Sequence, residues 1–196
     1  QSLRAGTLRL MSTPVSPGLA FSPMIPASLN EDWTFQMKLR PGPARIDVTG
    51  QPAGWVVKAV RHHGIDVTDQ GIDVTPNEDV SDIEIELTNR ITEVSGFVTN
   101  SRGDHAKDYW AIVFARDREK WQPASRYIRT ARPDQDGRFK ISGMPAGDYL
   151  AIALDFIEQG QANDPEFLDR IQDRAVRFSL SENEAKALDL KLGSLP

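Results

Sequence analysis

Cysteine is absent from the 196 residues of this chain, which excludes disulfide bonds and thiolate metal sites. No apolar run approaches the roughly 20 residues of a membrane-spanning helix, so no membrane insertion is expected. No basic segment followed by an apolar one opens the sequence, so it shows no signal peptide. Basic residues are also too few for a phosphate-binding surface: the net charge is −5, and nucleic acid is not an expected partner.

The sequence lacks the motifs by which common catalytic sites are recognised. It contains no Gly-x-Ser-x-Gly elbow, no phosphate-binding loop and no His-Glu-x-x-His pattern. We therefore predict a protein that is not an enzyme and that binds neither a metal nor another cofactor. An enzyme with an unrecognised site is kept as an alternative, to be tested by metal analysis and a panel of hydrolase substrates.

What the chain does contain is typical of a globular all-β protein. Apolar residues make up 39% and charged residues 26%, and short alternating runs are separated by 13 prolines and many turn residues. One short helix is expected over residues 165–173, because Asp164 can cap it and Pro165 suits its first position. The alternating or apolar runs predict strands near residues 7–12, 33–39, 44–49, 55–60, 82–88, 91–99, 109–116, 127–131, 137–142, 148–154, 174–180 and 187–192.

The two halves of the chain repeat a pattern at a spacing of about 104 residues. Phe35 and Phe139 lie 104 positions apart, and each follows an aspartate by three positions and precedes a Pro/Gly turn. The strictly alternating runs 83–87 and 188–192 lie 105 positions apart. Such self-similarity indicates two copies of one structural unit.

We therefore predict two tandem immunoglobulin-like β-sandwich domains, residues 1–89 and residues 90–196, with the short helix in the second. The strand predicted at 91–99 has no counterpart in the first copy. Residues 1–89 are accordingly expected to lack their first strand, and the chain to be part of a longer protein. The alternative is that residues 1–7 form a shortened first strand.

Two motifs in the second half resemble carboxypeptidase regulatory-like domains. The letters VSGFV at 94–98 are similar to the opening V-x-G-x-V strand of that family, and DGRFKISGMPAGDY at 136–149 is similar to its central hairpin. The resemblance implies a transthyretin-like (prealbumin-like) sandwich, similar in style to Cna B-type repeats, in a secreted, periplasmic or cell-surface bacterial protein. The first half departs from the pattern: Trp33 stands at the hairpin glycine position and Ala44 near the tyrosine position.

Trp121, Tyr127 and Arg126 are the candidate ligand-binding residues. Aromatic rings beside guanidinium groups suit sugars, acidic ones in particular, and protein partners. The alternative is that Trp121 packs on its own sheet while the arginines pair with nearby acids. The candidate set is surrounded by further aromatic and basic residues, namely Trp110, Arg116, Arg118, Arg129 and Arg132.

Two acidic clusters and one histidine pair are weaker candidates for metal sites. Asp134 and Asp136 resemble half of a calcium loop, but a hairpin turn is the preferred interpretation. Asp79 and Asp82 fit a solvated turn, with weak calcium binding left open. The adjacent histidines 62 and 63 are expected to point to opposite faces of a strand, so that one metal would not take both.

Tyr149 belongs to the family-like hairpin. It is predicted to bury its ring while its hydroxyl reaches a backbone group, as in the tyrosine corners of β-sandwiches. The leading functional hypothesis from the sequence is a non-catalytic structural or interaction module of a secreted or cell-envelope bacterial protein. A carbohydrate-binding module that uses the aromatic and arginine surface is the first alternative, so a protein or a glycan is the expected class of partner.

Overall fold

The fold is described from a computed structural model, which describes residues 3–15, 26–122 and 125–194. The chain divides into two compact units, residues 1–89 and residues 90–196. Both units consist of β-strands that pack as facing sheets, and the α-helix found in the described residues lies in the second unit. The predicted all-β sandwich class with one short helix is therefore confirmed.

In its described residues, the first unit contains two antiparallel sheets. One has the strand order β2-β1-β3-β6 and the other has the order β5-β4-β7. Its strands are β1 (Arg9–Pro14), β2 (Ala27–Ser28), β3 (Gly42–Thr49), β4 (Val56–His62), β5 (Ile65–Asp66), β6 (Ile72–Val74) and β7 (Ile83–Thr88).

The core of the first unit follows from alternation along β3. Ala44, Ile46 and Val48 are buried on one face of this strand while the residues between them are more exposed, as expected for a sheet that covers a core on one side. Val60 of β4 is buried with Ala44 and Ile46, and Leu10 of β1 is buried with Val48 in a neighbouring cluster. The apolar filling between the two sheets therefore comes from both of them.

The second unit has eight strands and one helix. Its strand order is β10-β9-β12-β15-β8-β11, with β13 pairing the first part of β12 and β14 pairing β8. The elements are β8 (Glu93–Thr99), β9 (Trp110–Ala115), β10 (Ile128–Ala131), β11 (Arg138–Ser142), β12 (Gly147–Leu154), α1 (Pro165–Ile171), β13 (Val176–Leu180), β14 (Ala185–Ala187) and β15 (Leu190–Gly193).

Strand β12 is buried on both faces, so the second unit has two apolar cores. Tyr149, Ala151 and Ala153 face the space between the sheets, together with Phe139 of β11. The alternate residues of β12 face α1 instead, and they include Ile152. Ile152 therefore does not share a core with Phe139, because the helix provides a second layer that buries the outer face of the sheet.

The helix begins as predicted. The Asp164 side chain accepts a hydrogen bond from the Glu166 N–H at 2.9 Å, and Pro165 occupies the first turn, where a missing N–H costs nothing. Phe167, Leu168 and Ile171 are buried on the face toward the sheet. The helix ends at Ile171 and a 3-10 turn continues the chain, so the helical segment is close to the predicted 165–173.

Some strand predictions were wrong or incomplete. The predicted strand 33–39 is not a strand; only Phe35 forms an isolated bridge, to Leu29. The predicted strand 187–192 is divided between β14 and β15. Residues 5–7 form a 3-10 turn, which contradicts a shortened first strand there, while Gln1 and Ser2 lie outside the described residues. Strands β2, β5 and β6 were missed because two or three residues leave no recognisable periodicity.

Two turns, 104 residues apart, have the same backbone conformation. Trp33 has a φ of 67° and Gly137 a φ of 84°, a region that favours glycine. The tryptophan at the glycine position therefore adopts the glycine conformation. In the first turn, the Asn30 N–H donates to Thr34 O at 2.8 Å and the Trp33 N–H donates to Asn30 O at 3.0 Å. In the second turn, the Asp134 N–H donates to Arg138 O at 2.9 Å and the Gly137 N–H donates to Asp134 O at 3.0 Å.

Strand β8 lies between β11 and the pair β14 and β15, and Gly96 permits the close approach of the latter. A Cβ atom at Gly96 would lie 2.0 Å from the Leu188 carbonyl oxygen, far inside van der Waals contact. On either side of this point, the Leu188 N–H donates to Ser95 O at 2.9 Å and the Phe97 N–H donates to the Asp189 carboxylate at 2.9 Å.

We predict that Gly96→Ala destabilises the second unit by about 1–3 kcal/mol, because the backbone must move to accommodate the methyl group. Denaturant unfolding followed by tryptophan fluorescence measures this loss. Gly6→Ala is the control, since a Cβ at Gly6 would meet nothing within 4 Å. An unchanged unfolding midpoint for Gly96→Ala would contradict the prediction.

Candidate functional site

Trp121 lies inside the second unit. Its side chain is 4% exposed and belongs to the core beneath α1. The indole N–H donates to the Ala115 carbonyl oxygen at 2.7 Å, and the ring meets the Phe114 ring edge-on at a centroid distance of 5.6 Å. The alternative interpretation, that Trp121 packs on its own sheet, describes these contacts. Its role in ligand binding stays a prediction.

Tyr127 and Arg126 are half-buried and lie beside each other. The Arg126 guanidinium is 5.3 Å from the Tyr127 ring centroid, and the Lys120 ammonium is 4.7 Å from it. The Tyr127 ring also stacks on Tyr149 at 6.5 Å. Two cations thus share one aromatic ring, while Trp121 contributes its ring to the interior and not to this surface.

The surrounding arginines make contacts within the second unit. Arg118 forms an ion pair with Asp169 at 3.0 Å, and Arg132 pairs with Asp108 and lies over the Trp110 ring. Arg129 donates to the carbonyl oxygens of residues 125 and 128, and burial lowers the pKa of its guanidinium. These charges stabilise the local chain, as the alternative interpretation of the arginine set anticipates.

Asp134 organises the turn that leads into β11. Its Oδ1 accepts hydrogen bonds from the N–H groups of Asp136 (3.0 Å) and Arg138 (2.9 Å), the geometry of an Asx turn. The flanking strands do not form the predicted hairpin, because β10 pairs with β9 and β11 pairs with β8. In the described ranges, no group of three or more histidine, aspartate or glutamate side chains is placed to hold a metal ion.

The adjacent histidines lie close together, which corrects the expectation of opposite faces. His62 is the last residue of β4, and His63 has a φ of 50°, so the chain leaves the strand between them. Their ring centroids are 4.2 Å apart. His63 Nδ1 lies 3.3 Å from the Asp82 carboxylate. Asp82 belongs, with Asp79, to the second acidic cluster of the sequence.

Tyr149 has the predicted role. Its side chain is 1% exposed and its hydroxyl donates to the Pro145 carbonyl oxygen at 2.7 Å. Tyr109 has a similar role that the sequence analysis missed: it is buried and its hydroxyl donates to the Gly137 carbonyl oxygen at 2.9 Å. The two hydroxyls hold the turns that precede and follow β11. An aromatic residue directly before β9 was the available sequence signal. The role of Tyr109 could not be read from it because its partner, Gly137, is 28 residues away.

The first unit contains two adjoining cavities that the site predictions did not include. Their volumes are about 1100 Å³ and about 410 Å³, both are lined by Trp33, Phe35 and Ile83, and the larger one has polar as well as apolar walls. Residues 33–39 line one side and residues 78–87 line the other. The lining also includes buried side chains of β1, β3 and β6 and of the residue before β1, namely Leu8, Leu10, Ile46, Val48 and Val74.

Comparisons with known proteins give only distant similarities to solved structures. No protein-family model matches the chain, and no curated protein matches it. The major pilin subunit of Bacillus cereus is 12% identical over 64% of this chain and 35% of that chain, with a TM-score of 0.36. A minor pilin of Streptococcus agalactiae is 12% identical over 97% and 84%, with a TM-score of 0.32. A phospholipase of Legionella pneumophila is 14% identical over 58% and 28%, with a TM-score of 0.33.

This chain therefore spans about a third of the length of the Bacillus cereus pilin. Similarities at this level include both pilins and an enzyme, and they assign no activity. None of the helices in the described residues has the length and apolar character that crossing a bilayer requires.

We predict that the Tyr109 phenol couples stability to alkaline pH. Burial raises its pKa to about 12, and the nearby Asp134 carboxylate adds to the rise. An unfolded tyrosine titrates near pH 10, so the neutral phenol stabilises the fold fully below about pH 10, and this contribution is lost as the pH rises toward about 12.

The unfolding free energies of the native chain and of Tyr109→Phe, measured between about pH 8 and pH 12, test this coupling. The variant is expected to be less stable at the lower pH, because it lacks the hydrogen bond to Gly137. The gap between the two proteins should narrow as the pH rises. A gap that is constant over the whole range would show that Tyr109 does not carry the effect.

Proposed function

We propose that this chain is a non-catalytic structural module of a secreted or cell-envelope bacterial protein, and that its second unit resists force applied along the chain. The single observation that carries the proposal is the pairing of the first and last strands of this unit. β14 and β15 both pair with β8, and both run parallel to it. The register brings Leu190 opposite Val98 and Ala185 opposite Glu93.

Parallel pairing determines how an external force acts. In two parallel strands, the entry end of the first strand and the exit end of the last strand lie at opposite ends of the pair. Tension between the ends of the unit then slides β8 against β15, and the hydrogen bonds between them bear the force together. An antiparallel hairpin pulled from its open end loses its bonds one after another. The second unit thus has the geometry of a spacer under tension.

Side chains add to the contact between these strands. The Asp189 carboxylate accepts the Phe97 N–H where β14 and β15 separate. The Arg138 guanidinium donates to the Ser95 hydroxyl at 2.7 Å, which ties β11 to β8. Val98 is fully buried behind the paired backbone. Water is therefore excluded from one side of the hydrogen bonds that bear the force.

We also propose the kind of domain that each unit forms and the location of the protein. The carboxypeptidase regulatory-like motifs support a transthyretin-like domain at residues 90–196, and the 104-residue repeat supports a related domain at residues 1–89. The residues that carry the family resemblance have structural roles: VSGFV lies in β8, and the Tyr149 hydroxyl holds the turn between β11 and β12. A structural role in the envelope or outside the cell is consistent with such motifs, and the partner of such a module is a protein or a glycan.

Single-molecule pulling from the two ends of the intact chain tests the mechanical role. We expect two unfolding events, with the higher force belonging to the longer, second unit. Asp189→Ala removes one charge-assisted hydrogen bond, a loss of about 1.5–3 kcal/mol, and should lower the higher force while leaving the lower one unchanged. Asp173→Ala removes an exposed carboxylate away from β8 and is the matched control.

The proposal fails if the second unit unfolds at the lower force. It also fails if the second unit of Asp189→Ala unfolds at the same force as that of the native chain and of the control Asp173→Ala. Contour-length increments assign each event to a unit, because the two units differ in length.

A glycan array tests the alternative of carbohydrate binding. Trp121 is buried and offers no exposed ring to a sugar, so we expect no glycan signal that depends on this residue. Tyr127→Ala is a cleaner probe than Trp121→Ala, since loss of the buried indole would cost about 3–5 kcal/mol of stability and would obscure binding. A glycan bound by the native chain and lost in a folded Tyr127→Ala variant would favour the carbohydrate-binding module instead.

A further inference from the structure

Strand β13 lies at an edge of the second unit and has one open side. It pairs with the first part of β12, in the register that places Val176 opposite Ala151 and Leu180 opposite Gly147. Among the strands of the described residues, no other one pairs with β13. Alternate residues along its second side therefore present unpaired backbone N–H and C=O groups, which can accept a further strand.

The side chains of β13 also leave this edge open. Arg177 and Ser179 are exposed on the outer face, so α1, which covers β12, does not extend over β13. On the inner face, Val176 is 43% exposed and Phe178 is half-buried, whereas the residues opposite them on β12 are buried. The apolar inner face of the sheet thus continues to an edge where water contacts it.

Other edge strands of this unit carry features that oppose pairing. Arg138 and Lys140 are exposed on β11, and like charges on an edge strand repel a second copy of it. β10 has four residues and β14 has three, which leaves little backbone to pair. Val176 is a large apolar side chain exposed on a strand, so the edge of β13 lacks this protection.

The sequence of β13 is complementary to itself in the antiparallel direction. Phe178 is the middle residue of the strand, so a two-fold axis at Phe178 pairs all five residues of two copies. Val176 of one copy then faces Leu180 of the other, and the apolar side chains of both strands share one face. On the opposite face, Arg177 faces Ser179, so the two arginines do not lie directly opposite each other.

The charges that flank β13 are complementary in the same arrangement. Arg174 lies two residues before the strand and Glu182 two residues after it, and both side chains are exposed. Antiparallel pairing about Phe178 brings Arg174 of each copy toward Glu182 of the other, twice by symmetry. Pairing in the parallel direction would place like charges together. The strand whose charges fit this edge is therefore β13 of a second copy.

We propose that two copies of this chain associate through β13, which extends the β12–β13 sheet of each copy across a two-fold axis at Phe178. Backbone hydrogen bonds join the two strands, and Val176 and Phe178 become buried at the junction. Five residues from each copy form a small contact, so the association is weak and depends on protein concentration. The proposal rests on the proposed structural role and gives the module a partner, a second copy of itself.

Sedimentation velocity of the intact chain over a series of concentrations tests the association. We expect the native chain to show a monomer–dimer equilibrium. Val176→Lys should weaken it at least about tenfold, because a lysine at an edge strand opposes pairing. Phe156→Lys is the matched control: Phe156 is another exposed large apolar residue of the second unit, 61% exposed and outside β13. This variant should dimerise like the native chain.

Charge reversal tests the direction of pairing. Arg174→Glu should weaken the dimer about fivefold, since each of the two symmetric ion pairs becomes a repulsive contact on an exposed surface. The double variant Arg174→Glu/Glu182→Arg restores opposite charges and should dimerise like the native chain. A double variant as weak as the single one would contradict antiparallel pairing in this register.

Cross-linking tests the register directly, because the native chain contains no cysteine. Arg177→Cys and Ser179→Cys, mixed in equal amounts and oxidised, should form the mixed disulfide dimer in excess of the random proportion, since positions 177 and 179 face each other across the axis. Ser101→Cys, exposed in a turn outside β13, replaces either variant as the control and should give no such excess.

The proposal is overturned if the native chain stays monomeric up to about 1 mM, beyond the dissociation constants of specific interfaces. It is also overturned if Val176→Lys dimerises like the native chain, if Phe156→Lys weakens the dimer equally, or if the mixed disulfide forms at the random proportion. The pulling experiment uses single chains, so a low unfolding force with a native dimer would refute the mechanical role alone.

Discussion

The second unit depends on one strand that is paired along both of its edges. β8 joins β11 to β14 and β15, and its inward side chains, Val94 and Val98, lie fully buried between the sheets. Its central residue must be glycine because the backbone at Leu188 crosses there in close contact. Three features follow from this one strand: the sandwich is closed, the first and last strands pair in parallel, and the inner residues of β11 are buried.

Local chemistry made much of the second unit predictable. The cap at Asp164, the turn at Gly137 and the hydrogen bond of Tyr149 depend on residues within a few positions of each other, and the structure contains all three. The predicted hairpin is not formed, because β11 pairs with β8 and not with β10 or β12. The second core was not predictable in the same way. Residues on both faces of β12 are apolar, and only the packing of α1 shows which of them, such as Ile152, leave the space between the sheets.

The candidate site was harder to predict because exposure is decided by distant contacts. An indole in a loop between strands can face solvent or find a carbonyl oxygen, and for Trp121 the carbonyl is that of Ala115 on the neighbouring strand. Adjacent histidines were assigned to opposite faces on the assumption that the strand continues. At His63 the backbone turns to a positive φ, which no short sequence pattern around it had indicated.

The two units differ in how completely the described strands are paired at matching positions. In the second unit, β8 covers the inner residues of β11 and pairs with β14 and β15, so the backbone groups and apolar faces at this position are already used. In the described part of the first unit, the segment that follows the turn at Trp33 forms only the isolated bridge of Phe35, and Phe35 and Met37 are half-buried. A sandwich needs the inner face of each sheet covered, and the mechanical role proposed for the second unit rests on this complete pairing of β8.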